Sequence, residues 1–143
     1  MSGENYPEKV SVNINTSTLA QIDLLVDNGY YSNRSDFINQ AVREGLHKHQ
    51  NTLDRIIDSK LEKGSPDQRR KNPNRWFVGV YGFDKRALAE MKDTGEQGAI
   101  TGYGVLSLDE ELDDEELFAA VKSIRVKGKV IAKPTVKAYY GLK

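Results

Sequence analysis

Over residues 9 to 15, "KVSVNIN", apolar and polar side chains alternate strictly. Val10, Val12 and Ile14 share one side, and Lys9, Ser11, Asn13 and Asn15 the other. A period of two predicts a half-buried β-strand. The pattern then changes to helical spacing. Leu19, Ile22, Leu25 and Val26 form one stripe, opened by an Asn15 cap and closed at Asn28-Gly29. Phe37, Ile38, Ala41, Val42 and Leu46 form a second stripe, capped by Ser32 or Asn33, and Leu53, Ile56, Ile57 and Leu61 form a third. Residues 64 to 75, "GSPDQRRKNPNR", have no periodicity and two prolines, and read as a linker.

From Trp76 onward the character changes. Glycine-punctuated β segments, "WFVGVYGF", "GAITGYGVLSL" and "IRVKGKVIA", alternate with helical segments, "DKRALAEMK" and "DEELDDEELFAAVKSI". Strands alternating with helices predict a small α/β unit with parallel pairing. Ile100 and Gly104 recur as Ile124 and Gly128, and Gly79 precedes Gly104 by 25 positions. Two readings fit this spacing. One is three degenerate strand–helix repeats of 24–25 residues; the other is a plain three-stranded α/β layer with right-handed crossovers. The expected fold class is therefore α+β. It divides into an N-terminal domain over 1–49, a third helix and linker over 50–75, and a C-terminal α/β domain over 76–143 for oligomerisation or interaction.

The strand at residues 9–15 has no second strand nearby, and unpaired backbone groups are rarely tolerated. The same strand of a second chain can pair with it. Two antiparallel copies would make a ribbon, with Val10, Val12 and Ile14 over the helices and Lys9, Ser11 and Asn13 outward. Such a ribbon fits the DNA major groove, where lysine can bond guanine and asparagine can pair bidentately with adenine.

In the segments "KVSVNI", "STLAQIDLLVDNG" and "SNRSDFINQAVREGL", the chain resembles the ribbon-helix-helix family of DNA-binding proteins, of the CopG/Arc type. The resemblance covers about residues 9–48 and implies an intertwined homodimer. Base-reading residues would be Lys9, Ser11 and Asn13. The start of the second helix would grip a backbone phosphate with Asn33, Arg34 and Ser35, since helix N-termini bind anions and arginine adds a charge-assisted bond. The dimer core would consist of Val10, Val12, Ile14, Leu19, Ile22, Phe37, Ile38 and Val42. Lys9 is the one cation on the outward strand face, sparse for this family, which implies modest non-specific affinity and cooperative binding by several dimers.

Composition narrows the function classes. The 143 residues carry 21 basic and 21 acidic side chains, for a net charge of zero. DNA binding must therefore rest on local charge placement, which two helix ends per dimer can provide. There is no cysteine, hence no disulfide, thiolate metal site or cysteine nucleophile. No apolar run approaches the roughly 20 residues of a membrane span. A cytoplasmic protein without membrane association is expected.

His47 and His49 invite comparison with nickel-sensing members of the family. Residues two apart do not share a helix face, however, and the C-terminal half has no histidine. No metal or cofactor is expected. The acidic run at 109–116 lacks the glycine and spacing of a calcium loop and suits a helix N-terminus. The "RRK" at 69–71 could touch flanking phosphates. Gly98, Gly102 and Gly104 have the wrong spacing for a phosphate-binding loop. Trp76, Tyr103, Tyr139 and Tyr140 read as core or interface aromatics. With no nucleophile–base pair in sight, no enzyme activity is expected.

The expected function is a homodimeric, sequence-specific transcriptional regulator. Its partners would be double-stranded DNA, a second copy of itself and, through the C-terminal domain, a further protein or copy. Two alternatives are an antitoxin whose C-terminal part occupies a toxin, and an assembly protein whose ribbon only dimerises.

Overall fold

The computed structural model describes residues 7–61 and 72–143. Residues 64–71 of the expected linker, "RRK" included, lie outside the described residues. The chain is a mixed α+β protein that divides into two compact units. One is Pro7–Ile56, and the other takes in Ile57–Lys143.

The N-terminal unit begins with Pro7–Asn15, which forms no strand within a single chain. The alternation read in the sequence is present, but no other strand lies in the unit to complete a ladder. Helix α1 spans Thr16–Asp27. Asn15 caps it, its side chain accepting from the Ser17 N–H at 2.9 Å. Gly29, at φ 81°, ends it. The Tyr30 N–H reaches back to the Leu25 carbonyl at 3.0 Å and the Gly29 N–H to the Val26 carbonyl at 3.0 Å, closing the last turn in the way a left-handed glycine permits. Helix α2, Arg34–Lys48, and helix α3, Gln50–Leu61, are separated only by His49. Tyr31 packs edge-on against Phe37 with ring centroids 4.9 Å apart.

The C-terminal unit holds the sheet. Its elements run β1 (Arg75–Phe83), α4 (Lys85–Asp93), β2 (Gly98–Leu108), α5 (Asp114–Ala120), β3 (Val121–Ile131) and α6 (Pro134–Tyr140). The strands pair in parallel in the order β1-β2-β3. The spacing seen in the sequence is the register of this sheet: Gly79 lies beside Gly104, and Gly104 beside Gly128. All three have positive φ, at 104°, 120° and 146°.

Three sequence expectations need adjustment. β1 starts at Arg75, inside the segment read as linker, and the Asn74 side chain accepts from the Ala99 N–H of β2 at 2.9 Å. The helix expected through Ile124 stops at Ala120, and Val121 is at once its C-cap and the first residue of β3. No glycine or proline marks that change. Helix α6 was not anticipated. Its seven residues are too few for a periodic stripe, although Pro134 at its start and Gly141 at φ 67° after its end are ordinary boundary residues.

One hydrophobic core closes the unit. Leu88 and Met91 of α4, Leu117 and Ala120 of α5, and Val136 of α6 join Phe77, Phe83, Ile100, Leu106, Leu108, Ile124 and Val130 from the strands. Sequential parallel strands joined by right-handed crossovers put every helix on the same side of a sheet, and all three helices here feed this single cluster. The Tyr140 hydroxyl donates to the Val121 carbonyl at 2.7 Å and lies 3.3 Å from that of Leu117, and burial pushes its ionisation well above the ordinary phenol range. Lys133 Nζ bonds Asp114 at 2.6 Å and the Leu112 carbonyl at 2.9 Å, while Thr135 donates to the other Asp114 oxygen at 2.7 Å. The hydrogen bonds from Lys133 and Thr135 hold the Asp114 carboxyl below the usual range.

Candidate nucleic-acid interface

Every residue from Pro7 to Asn13 is exposed, and Ile14 is half-buried. The polar set Lys9, Ser11 and Asn13 is thus accessible, which is ordinary for polar side chains. The apolar set is less ordinary: Val10 is 75% and Val12 72% exposed. The helices behind them are also open. Ile22 alone among the described residues of this unit is buried, Leu19 and Phe37 are half-buried, and Ile38, Val42 and Leu46 keep 38%, 54% and 54% of their surface in solvent. A single chain therefore leaves this unit without a closed core. Contiguous apolar surface of this kind marks an interaction site.

The start of α2 is built by reciprocal capping. The Asn33 side chain accepts from the Asp36 N–H at 2.8 Å, and the Asp36 carboxylate accepts from the Ser32 N–H at 3.0 Å. The second bond reaches one residue before the cap, so this is a capping box displaced by one position, with Asp36 in the acidic role. The N–H groups of Arg34 and Ser35 occupy the first helical positions, which have no intrahelical acceptor. The positive end of the helix dipole is therefore presented there, beside the exposed Arg34 and Ser35 side chains.

Arg34 has a partner that sequence reading did not anticipate. Its Nε and Nη2 bond Asp23 of α1 at 2.7 and 2.8 Å, a bidentate pair at the surface. The hydrogen bonds from Arg34 hold the Asp23 carboxyl below its usual range, and the same bonds raise the Arg34 guanidinium further. The pair fixes the orientation of the guanidinium and leaves Nη1 outside it. Asp23 stands eleven positions away, next to Ile22 on an ordinary amphipathic helix, so no local signal singled it out.

With this geometry in view, the sequence pattern that defines the Ribbon-Helix-Helix transcriptional regulator family matches residues 5–137. The chain belongs to that family. Ribbon-helix-helix regulators bind DNA and dimerise, and they are typically not enzymes. The match extends through the C-terminal sheet and into α6, so the strand–helix unit belongs to this ribbon-helix-helix family as well as the first 48 residues. Neither the curated proteins nor the solved structures contain a match to the chain.

Other residues singled out in the sequence have structural settings of their own. His47 lies in the last turn of α2 and His49 caps its end, both exposed. Among the described residues no group of three or more His, Cys, Asp or Glu side chains is gathered in a way that could hold a metal ion. Asp113 caps α5, its side chain accepting from the Glu116 N–H at 3.1 Å, and Asp114, Glu115 and Glu116 fill the first turn, where the dipole favours them. Ion pairs of Lys85 with Glu111 and Lys92 with Glu116, both at 3.5 Å, cross a shallow groove between α4 and α5. Tyr139 stacks on Phe118 at 3.8 Å. No helix among the described residues is long and apolar enough to cross a membrane.

Proposed function

We propose that this ribbon-helix-helix regulator acts as a homodimeric, sequence-specific repressor in the cytoplasm, controlling its own or a neighbouring operon. Lys9–Asn15 of two chains pair as an antiparallel ribbon and enter the major groove. Lys9, Ser11 and Asn13 read base edges, and Asn33, Arg34 and Ser35 at each α2 start grip a phosphate. Val10, Val12, Ile14, Leu19, Ile22, Phe37, Ile38 and Val42 close the core between the chains. The observation that carries this reading is the exposure of Val10 and Val12, at 75% and 72%, in strict alternation with polar neighbours. Isolated apolar strand residues in water are unfavourable, and a second copy both pairs the backbone and buries them.

Arg34 contributes in two ways in this reading. Its backbone N–H belongs to the anion site, and its side chain offers the phosphate only Nη1 while Asp23 holds Nε and Nη2. The C-terminal domain serves oligomerisation or protein contact. A well-packed core of its own distinguishes it from the segments of antitoxins that stay disordered until bound.

Selection of bound DNA from a random pool, followed by binding assays on the chosen operator, tests these roles. Asn13→Ala relaxes preference at one position per half-site, by about 1–3 kcal/mol. Arg34→Ala weakens binding to all sequences alike and flattens the salt dependence. If neither change alters binding, the assignment is wrong.

A further inference from the structure

The net charge of zero conceals a division inside the C-terminal unit. Residues 84–116 carry eleven acidic and three basic side chains, all on α4, α5 and the adjoining loops, since β2 has no charged residue. Residues 117–143 carry seven basic side chains and no acidic one. Four of the seven fall on β3, an edge strand of the sheet: Lys122, Arg125, Lys127 and Lys129. Lys129 is already engaged. Lys122, Arg125 and Lys127 are exposed and form no ion pair among the described residues. Ile124 and Val126 join the core, so Arg125 and Lys127 point to the other side of the sheet. The register sets Arg125 beside Thr101 and Lys127 beside Tyr103, and these two are exposed as well. Lys122 is skipped by the pairing, between the partners of Gly98 and Ala99. Further along, Val105 is only 8% exposed, so the accessible patch is confined to these few side chains.

We propose that this patch is a second DNA-contacting surface, which holds backbone phosphates while the ribbon reads bases. The inference rests on the DNA-binding reading above. Arginine, lysine, threonine and tyrosine are among the side chains that bond phosphate oxygens, and Arg125, Lys127, Thr101 and Tyr103 stand together in a two-by-two array. A contact of this kind carries no sequence information and adds affinity by releasing counterions from the duplex. It complements the ribbon, where Lys9 is the one cation on the outward face of each strand. Once the ribbon is bound, both C-terminal units are tethered to the same duplex. Even a weak phosphate contact is then made at high effective concentration.

Two other roles suit the charge less well. Lysine on an edge strand hinders pairing with other sheets. That role asks only for charge along the edge, whereas Thr101 and Tyr103 extend the patch onto the central strand. The acidic α4–α5 side of another copy is the second rival. Its acids are already paired in part, Glu111 with Lys85 and Glu116 with Lys92. Duplex DNA, with one charge per ~1.7 Å of its axis, is a far denser polyanion.

The full chain has no cysteine, so a single one can be placed on the patch as a reporter. Thr101→Cys, labelled with a benzophenone maleimide and irradiated with the selected duplex, gives a covalent protein–DNA adduct. The combined variant Lys122→Gln, Arg125→Gln and Lys127→Gln, checked for folding by circular dichroism, binds the duplex about tenfold or more weakly at physiological salt. Its salt slope falls by roughly 1 for each cation that held a phosphate, and its base preference stays that of the unaltered protein. An unchanged salt slope overturns this inference and leaves the ribbon reading standing. Binding without sequence preference, unmoved by Asn13→Ala, removes the ribbon reading, while adduct and slope still decide this one. Assemblies above the dimer that light scattering finds at low salt without DNA, and that the combined variant lacks, assign the patch to another copy and overturn it.

Discussion

Replacing Gly104 with alanine should unfold the C-terminal unit or bring it close to unfolding. Gly104 has φ 120°, a conformation outside the small left-handed region that other residues visit. A Cβ built there would lie 2.0 Å from the Gly79 carbonyl oxygen and 2.9 Å from its carbon, both main-chain atoms of the paired strand. Neither can swing aside as a flexible side chain could. The backbone conformation costs about 1–3 kcal/mol, and forcing apart packed main chain roughly 1–3 kcal/mol more. The loss is therefore on the order of 2–6 kcal/mol. A unit of this size has a urea dependence of about 1 kcal/mol per molar, so the midpoint falls by roughly 2 M or more. Trp76 fluorescence follows the transition, since Trp76 is in β1. Two other glycines separate the causes. Gly79 has φ 104° with nothing within 4 Å of its Cβ position, so Gly79→Ala carries the conformational cost alone; Gly82 has open space and an ordinary φ, so Gly82→Ala is nearly neutral. A Gly104→Ala midpoint no lower than that of Gly82→Ala would refute the reasoning.

Three further outcomes are expected. Tyr140→Phe removes the hydroxyl that donates to the Val121 carbonyl and lowers stability by about 1 kcal/mol in the same urea titration. Asp114 has its pKa depressed by Lys133 and Thr135, so its stabilising contribution is complete above the ordinary carboxylate pKa and is lost as pH falls through the depressed value; Asp114→Asn flattens that acid limb, measured by the melting temperature from neutral pH downward. Asp23→Asn frees the Arg34 guanidinium from its bidentate pair. It should strengthen binding to all DNA sequences alike and steepen the salt dependence, with unchanged binding showing that Arg34 does not reach a phosphate.

Much of this architecture was legible because it is local. Asn15 and Asn33 announce α1 and α2 through capping that involves the next two or three residues. The strands of the C-terminal unit carry glycines whose spacing is the sheet register itself, so a one-dimensional repeat encodes a three-dimensional pairing. What was hidden depends on distance or on the absence of punctuation. The Asp23–Arg34 pair joins two helices across a turn, and each residue alone is an ordinary surface charge. The passage from α5 into β3 has no breaking residue, so the helical pattern was carried on into "VKSI". The side of the sheet away from the core was hidden too. Trp76 and Tyr103 read as core or interface aromatics, and nothing in the strand pattern said which side of the sheet they take.

The loop-free junction between α5 and β3 makes the two elements mechanically one. With Val121 ending the helix and opening the strand, no slack residue exists to absorb a slip. If β3 moved by one position, its faces would exchange. Arg125 and Lys127 would then enter the space of Ile124 and Val126. Burying charge there is prohibitive, so the alternation of charged and apolar residues on β3 permits a single setting of helix against sheet.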